Sequence, residues 1–152
     1  MENPSDLTLR IIFGGPKNPT TGLAALVEIL LKPYLSKITA RVRDVFDFIN
    51  KIPNFTIEDL PFIEMWSVDV KDMYPSIEQE LGLEAISYWI DLYPELLPER
   101  FSKDFILEAL LFVLKNNTGY FNGNFYKQTV GTTTGIKPAG TYADLTMGYL
   151  ET

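Results

Sequence analysis

The sequence predicts an α+β domain in which several helices pack on a small antiparallel sheet. Three observations predict it. Apolar residues recur at helical spacing over 23–34, 83–90 and 105–114. A β-prone run from Phe62 to Val70 places an aspartate, Asp69, near its end. Finally, Tyr120-Phe121 and Phe125-Tyr126 flank Asn122-Gly123-Asn124, a strong short-range hairpin signal. At 152 residues the chain suits one domain, or a piece of a larger one, and can bury a real core.

Residues 1–22 are turn-rich. Pro4, Gly14-Gly15-Pro16 and Asn18-Pro19 punctuate a short extended run, Leu7 to Phe13, that contains Arg10. The first helix presents Leu23, Leu26, Val27, Leu30, Leu31 and Tyr34, with Thr20 or Thr21 as its cap and Pro33 at its end. A second carries Val42, Val45, Phe46 and Ile49 opposite Arg41, Arg43, Asp44 and Asp47, and both stripes read as core-facing. Pro53 ends this region and Phe55 to Pro61 makes a loop.

Phe62 to Val70 reads as a buried strand through Ile63, Met65, Trp66 and Val68, and Pro75 forces a turn after it. Ser76 with Gln79 fits a capping box, with Gly82 delaying the regular helix until Leu83. That helix shows Ala85, Ile86, Trp89 and Ile90 on one face. Pro94 and Pro98 bound a short connection. Ser102 caps the next helix, whose apolar side is Phe105, Leu107, Leu110, Leu111 and Leu114, and Asn116-Asn117-Thr118-Gly119 stops it. Beyond the hairpin, Gly131-Thr132-Thr133-Thr134-Gly135 is a small polar loop and Ala139 to Leu150 an amphipathic helix.

Composition narrows the chemistry. The chain has no cysteine and no histidine, which excludes disulfides, thiolate zinc, cysteine nucleophiles and Ser-His-Asp catalysis. Any metal must be a hard cation on oxygen ligands, Mg²⁺ or Mn²⁺. A net charge of −7 argues against a general nucleic-acid-binding surface. The charge is uneven, however: residues 52–100 hold eleven acidic and two basic side chains, whereas residues 1–51 hold seven basic and five acidic. The acidity surrounds Asp69. With no basic-then-apolar leader and no apolar run near the roughly 20 residues that span a bilayer, the chain reads as soluble and intracellular, with no membrane partner.

Phosphoryl transfer with divalent metals needs carboxylates that converge where the attacking and leaving oxygens meet. Asp69 and Asp72 offer two, at a turn that leaves them open to substrate. Asp69-Val70-Lys71-Asp72-Met73-Tyr74-Pro75-Ser76-Ile77 resembles the first catalytic motif of reverse transcriptases. The resemblance implies that Asp69 is the catalytic, metal-binding aspartate and that Tyr74 screens the sugar of the incoming nucleotide. It also implies a backbone contact from Asp72 to the triphosphate.

The run from Gln128 to Glu151 is similar to the next motif of the Penelope-like branch, Gln-x-x-Gly-Thr-Ala-Met-Gly-Thr followed by a Tyr-Ala-Asn-Leu helix ending in Leu-Glu. On that likeness Gln128 contacts nucleotide, while Gly131, Thr132 and Gly135 frame template and primer. Asn116 to Gln128 is similar to the hairpin entering this motif, and Arg10-Ile11-Ile12 with Leu30 to Pro33 resembles the fingers segment, which puts Arg10 on the triphosphate. Departures are Thr134 for methionine, Gly140 for proline, Ile11 for proline and Asp144 for asparagine.

The resemblance implies a partial right-hand polymerase, about 1–61 fingers-like and about 62–152 palm with interleaved fingers elements. It implies an RNA-directed DNA polymerase of a retroelement, a nuclear location, a Mg²⁺ (or Mn²⁺) cofactor, and RNA or DNA template-primer and dNTP as partners. The family's aromatic-x-Asp-Asp motif is not among these residues, so the expectation is a chain truncated before that hairpin, with an incomplete metal site, inactive alone and prone to self-association. Two other readings are a non-catalytic remnant or co-opted nucleic-acid- or protein-binding module, and an unrelated soluble α+β interaction domain.

Overall fold

The apolar faces of four helices meet in one core, and the last of the four is buried on most of its sides. The structure, a computed structural model, describes residues 18–52, 64 and 66–152. The Leu7–Phe13 run with Arg10, the 55–61 loop, and Phe62, Ile63 and Met65 of the predicted strand lie outside the described residues.

Helix α1 (Thr21–Leu31) buries Ala24, Val27, Leu30 and Leu31, one helical stripe, and runs into a 3₁₀ turn, Lys32–Lys37, that buries Tyr34. Pro33 sits in the first positions of that turn, where its missing N–H costs least. Neither threonine caps α1 with its side chain. Asn18 organises the entry instead. Its Oδ1 accepts from the Thr20 N–H at 3.1 Å and its Nδ2 donates to the Asn116 carbonyl at 3.2 Å, across the fold.

Helix α2 (Val45–Lys51) is capped by Asp44, whose carboxylate accepts from the Asp47 N–H at 2.9 Å. Its apolar stripe does not face the core: Val45, Phe46, Phe48 and Ile49 are exposed, Phe46 by 78%. The reason lies in what holds the helix. Lys51 Nζ donates to the Thr39 carbonyl at 3.1 Å and also to that of Arg41, and Asp47 accepts from the Arg43 N–H at 2.9 Å. These polar ties fold α2 back on its own entry loop.

The expected strand is also corrected over its described part. Residues 66–70 are in no strand, and Trp66 and Val68 are 84% and 89% exposed. A β-prone run needs a ladder partner to become a strand, and among the described residues the sheet contains only the hairpin.

A single helical turn, α3 (Met73–Ser76), precedes helix α4 (Gln79–Leu92), which buries Ala85, Ile86, Trp89 and Ile90 as the spacing requires. The capping box is not formed. Glu78 is the cap residue, makes no side-chain bond, and α4 runs unbroken through Gly82. Helix α5 (Lys103–Lys115) is capped as predicted, Ser102 Oγ accepting from the Phe105 N–H at 3.1 Å. Its buried side is Ile106, Ala109, Leu110, Val113 and Leu114; Phe105 is rotated out and stacks on Phe101.

Strands β1 (Thr118–Phe121) and β2 (Asn124–Lys127) form the antiparallel hairpin around Asn122 and Gly123, both with positive φ, as a two-residue turn of this twist demands. Helix α6 (Ala139–Leu150) keeps its predicted bounds and buries Ala139, Tyr142, Ala143, Leu145 and Gly148 together with Thr141 and Thr146. It packs on α1, α3, α4 and the 3₁₀ turn. Two of its polar groups are met inside: Thr146 Oγ1 donates to the Tyr142 carbonyl at 2.8 Å, and the Leu145 carbonyl accepts from Trp89 Nε1 at 2.9 Å. The class is α+β, with six α-helices and a two-stranded antiparallel sheet among the described residues.

Candidate functional site

The stretch after Asp69 and the loop at Gly131 are far apart in sequence and joined in the fold. The Thr132 N–H donates to the Tyr74 carbonyl at 2.8 Å. One residue earlier, Gly131 lies against Pro75 with φ +69°, and a Cβ there would fall 2.4 Å from the Pro75 carbonyl oxygen. Only glycine meets both demands, the left-handed backbone and the close approach. Gln79 Nε2 adds a third tie, donating to the Gly131 carbonyl at 3.3 Å. Gln79 is the first residue of α4, behind the cap residue Glu78, so it is not placed to cap Ser76 at the end of α3.

Asp72 opens α3 in the left-handed conformation, φ 51° and ψ 42°, which aspartate tolerates better than most side chains. The sharp turn leaves Asp69 and Asp72 exposed while Met73 and Tyr74, half-buried, pack on the core. Asp69 makes no hydrogen bond or ion pair among the described residues. Gly131 and Thr132 are buried in the clasp, and Gly135 is half-buried. Gly135, Ile136 and Lys137 face the start of α1 across an open cavity of about 290 Å³.

Gln128 sits at the base of the hairpin with its amide engaged at both ends. Its Oε1 accepts from Asn117 Nδ2 at 2.7 Å and its Nε2 donates to the Val130 carbonyl at 3.0 Å. The Gln128 N–H also donates to the Asn117 carbonyl at 3.0 Å. Asp144, the departure on α6, is paired with Arg41 at 2.9 Å, and Glu28 on α1 accepts from Thr141 Oγ1 at 3.0 Å. Arg10 lies outside the described residues. Sequence reasoning missed Asn18, Gln79 and Asn117 as fasteners. For Asn18 the Asn-Pro turn was a signal; for the other two nothing local distinguishes them.

No group of three or more acidic side chains that could hold a metal ion occurs among the described residues. Asp69 and Asp72 are exposed carboxylates three residues apart, oxygen donors of the type that a hard cation such as Mg²⁺ takes when it keeps most of its waters. They do not make an all-protein cage. No helix among the described residues is long and apolar enough to cross a membrane. No protein-family model matches the chain, and no curated protein or solved structure matches it.

Proposed function

We propose that this chain is the fingers and amino-proximal palm of an RNA-directed DNA polymerase of the Penelope-like branch. Residues up to about 61 belong to the fingers and the rest to the palm with interleaved fingers elements. The observation that carries the reading is the clasp between Tyr74-Pro75 and Gly131-Thr132, because it joins two stretches that resemble separate polymerase motifs and that nothing local obliges to meet.

In this reading Asp69 supplies an oxygen ligand for Mg²⁺, which when bound neutralises charge on the triphosphate of the incoming dNTP. Asp72 turns the backbone toward those phosphates. Tyr74 is the sugar gate, and its main chain is pinned by Thr132, so the gate and the template-side loop shift as one unit. Gln128 and Asn117 brace the hairpin that leads into this loop, and Arg10 contributes a guanidinium to the triphosphate. The partner strand of residues 66–70 is the aromatic-x-Asp-Asp strand of the whole enzyme, which carries the second metal-ligand carboxylates. On this reading, Asp69 by itself gives too few carboxylates for a two-metal site, and the expectation is that these 152 residues extend no primer unaided.

The test is Mn²⁺ binding in the presence of a dNTP, read from water-proton relaxation. The wild-type chain is expected to bind Mn²⁺·dNTP weakly, and Asp69→Asn to lose most of that binding. Equal binding by Asp69→Asn, or no nucleotide-dependent Mn²⁺ binding at all, would sink the assignment. Primer extension by the wild-type chain that Asp69→Ala abolishes would overturn the inactivity.

A further inference from the structure

We propose that the β1–β2 hairpin is a stacking surface for single-stranded nucleic acid. The ladder pairs Tyr120 with Phe125 and, on the same face, Thr118 with Lys127. The two rings lie with centroids 4.9 Å apart and are 66% and 81% exposed, whereas Tyr34, Trp89 and Tyr142 are buried. Two aromatic rings are thus held side by side toward solvent, with an ammonium-bearing residue two ladder pairs along, the next on the same face.

Charge decides what this face takes. The chain carries −7, yet residues 109–143 contain no aspartate or glutamate and three lysines, Lys115, Lys127 and Lys137, all exposed. Within an acidic protein the aromatic hairpin therefore lies in an acid-free, cationic stretch. A polyanion with flat apolar faces matches both features, since bases stack on exposed rings whatever their identity and a phosphate meets Lys127 on the same face. A duplex hides its base faces, so the single-stranded form is the one selected.

The inference does not depend on Asp69 ligating a metal, and the experiment separates the two. Fluorescence anisotropy is measured with a labelled oligo(dT) of about 12 nucleotides, a usual site size, on the full chain in EDTA without dNTP. With Lys127 on the face beside the two rings, the expected Kd is on the order of 10 µM at moderate salt. Phe125→Leu, which keeps an apolar strand residue but removes the ring face, is expected to weaken binding at least about fivefold, and Phe125→Trp to restore or tighten it. Lys127→Gln is expected to lower the salt slope by about 0.7. Phe46→Ser on α2 is the control and leaves the Kd unchanged.

Wild-type-like binding by Phe125→Leu overturns the proposal, as does the absence of wild-type binding at roughly 100-fold higher concentration than the expected Kd. Tighter binding to a duplex of the same length also overturns it. So does a Phe125→Leu chain that changes sedimentation from dimer to monomer with anisotropy unaltered, which would assign the face to self-contact.

Discussion

Gly82 on α4 lies directly against the ring of Tyr142 on α6, so closely that a Cβ at Gly82 would fall 1.9 Å from the Tyr142 hydroxyl oxygen. The absence of one side chain makes room for another, and Tyr142 is fully buried by it. Glycine inside a helix costs about 1 kcal/mol relative to alanine, so on helix propensity alone Gly82→Ala would stabilise α4. Packing reverses the sign. We expect Gly82→Ala to destabilise the chain by about 2 kcal/mol or more through overpacking, measured by urea denaturation. Tyr142→Leu should recover part of the loss, giving a favourable coupling in the double-mutant cycle. A Gly82→Ala chain as stable as wild type would show that the two helices can separate freely.

Burial also acts on the acidity of Tyr142. Its hydroxyl has no hydrogen-bond partner among the described residues, and desolvation pushes its pKa up from 10.0 to about 12. The folded chain therefore holds this proton more tightly than the unfolded chain. Below about pH 10 both states keep the proton and its effect on stability is constant. As pH climbs from about 10 to about 12 the unfolded state ionises first, and stability is lost. Tyr34, raised by burial and then by the Glu95 charge, adds to the same trend. Tyr142→Phe should flatten the alkaline fall in stability, and at neutral pH it should be neutral or stabilising by about 1 kcal/mol, since it removes an unpaired buried hydroxyl. Thermal melts from pH 8 upward would check both halves; a steeper alkaline fall in the variant would contradict them.

Gly131 carries two constraints at once, and either should be visible on substitution. Gly131→Ala places a side chain in a left-handed backbone, at roughly 1–2 kcal/mol, and drives its Cβ into the Pro75 main chain, which cannot swing aside as a side chain could. The expected result is loss of the Thr132–Tyr74 bond before global unfolding. Amide hydrogen exchange should show the Thr132 N–H deprotected while amides in the middle of α6 keep their wild-type protection. Uniform deprotection would mean that the clasp is part of the core's cooperativity and not a separate fastening.

What the sequence makes legible follows from where the determinants lie. Helix α6, the Ser102 cap of α5 and the Asn122-Gly123 hairpin are readable because their signals are local: spacing, a cap residue, a turn dipeptide. Val45, Phe46 and Ile49 had the right spacing for a buried stripe, yet whether a stripe is covered depends on what the rest of the chain brings to it. The Trp66–Val70 run failed as a strand for the same reason, since its propensity says nothing about a pairing partner. At the candidate site the Asp69 turn and the 131–135 loop stood out as motifs. Their meeting could not be read, because the contact is backbone to backbone between Tyr74-Pro75 and Gly131-Thr132, and neither pair of residues is unusual by itself.

The same exposed apolar residues lead to the remaining expectation, self-association. Phe46 and Ile49 on α2, and Trp66 and Val68 on the segment before α3, leave large apolar side chains in water, and apolar exposure on this scale favours contact with another chain. Sedimentation velocity over a wide concentration range should show the wild-type chain associating. Phe46→Ser with Ile49→Ser should shift it toward monomer. Because both side chains are exposed, stability should change by no more than about 0.5 kcal/mol per site, so a loss of association cannot be ascribed to unfolding. If the wild-type chain stays monomeric throughout, these faces are tolerated in water and the expectation fails. If the double variant associates as strongly as wild type, the contact runs through another surface, and Trp66→Ser distinguishes the unpaired segment from α2.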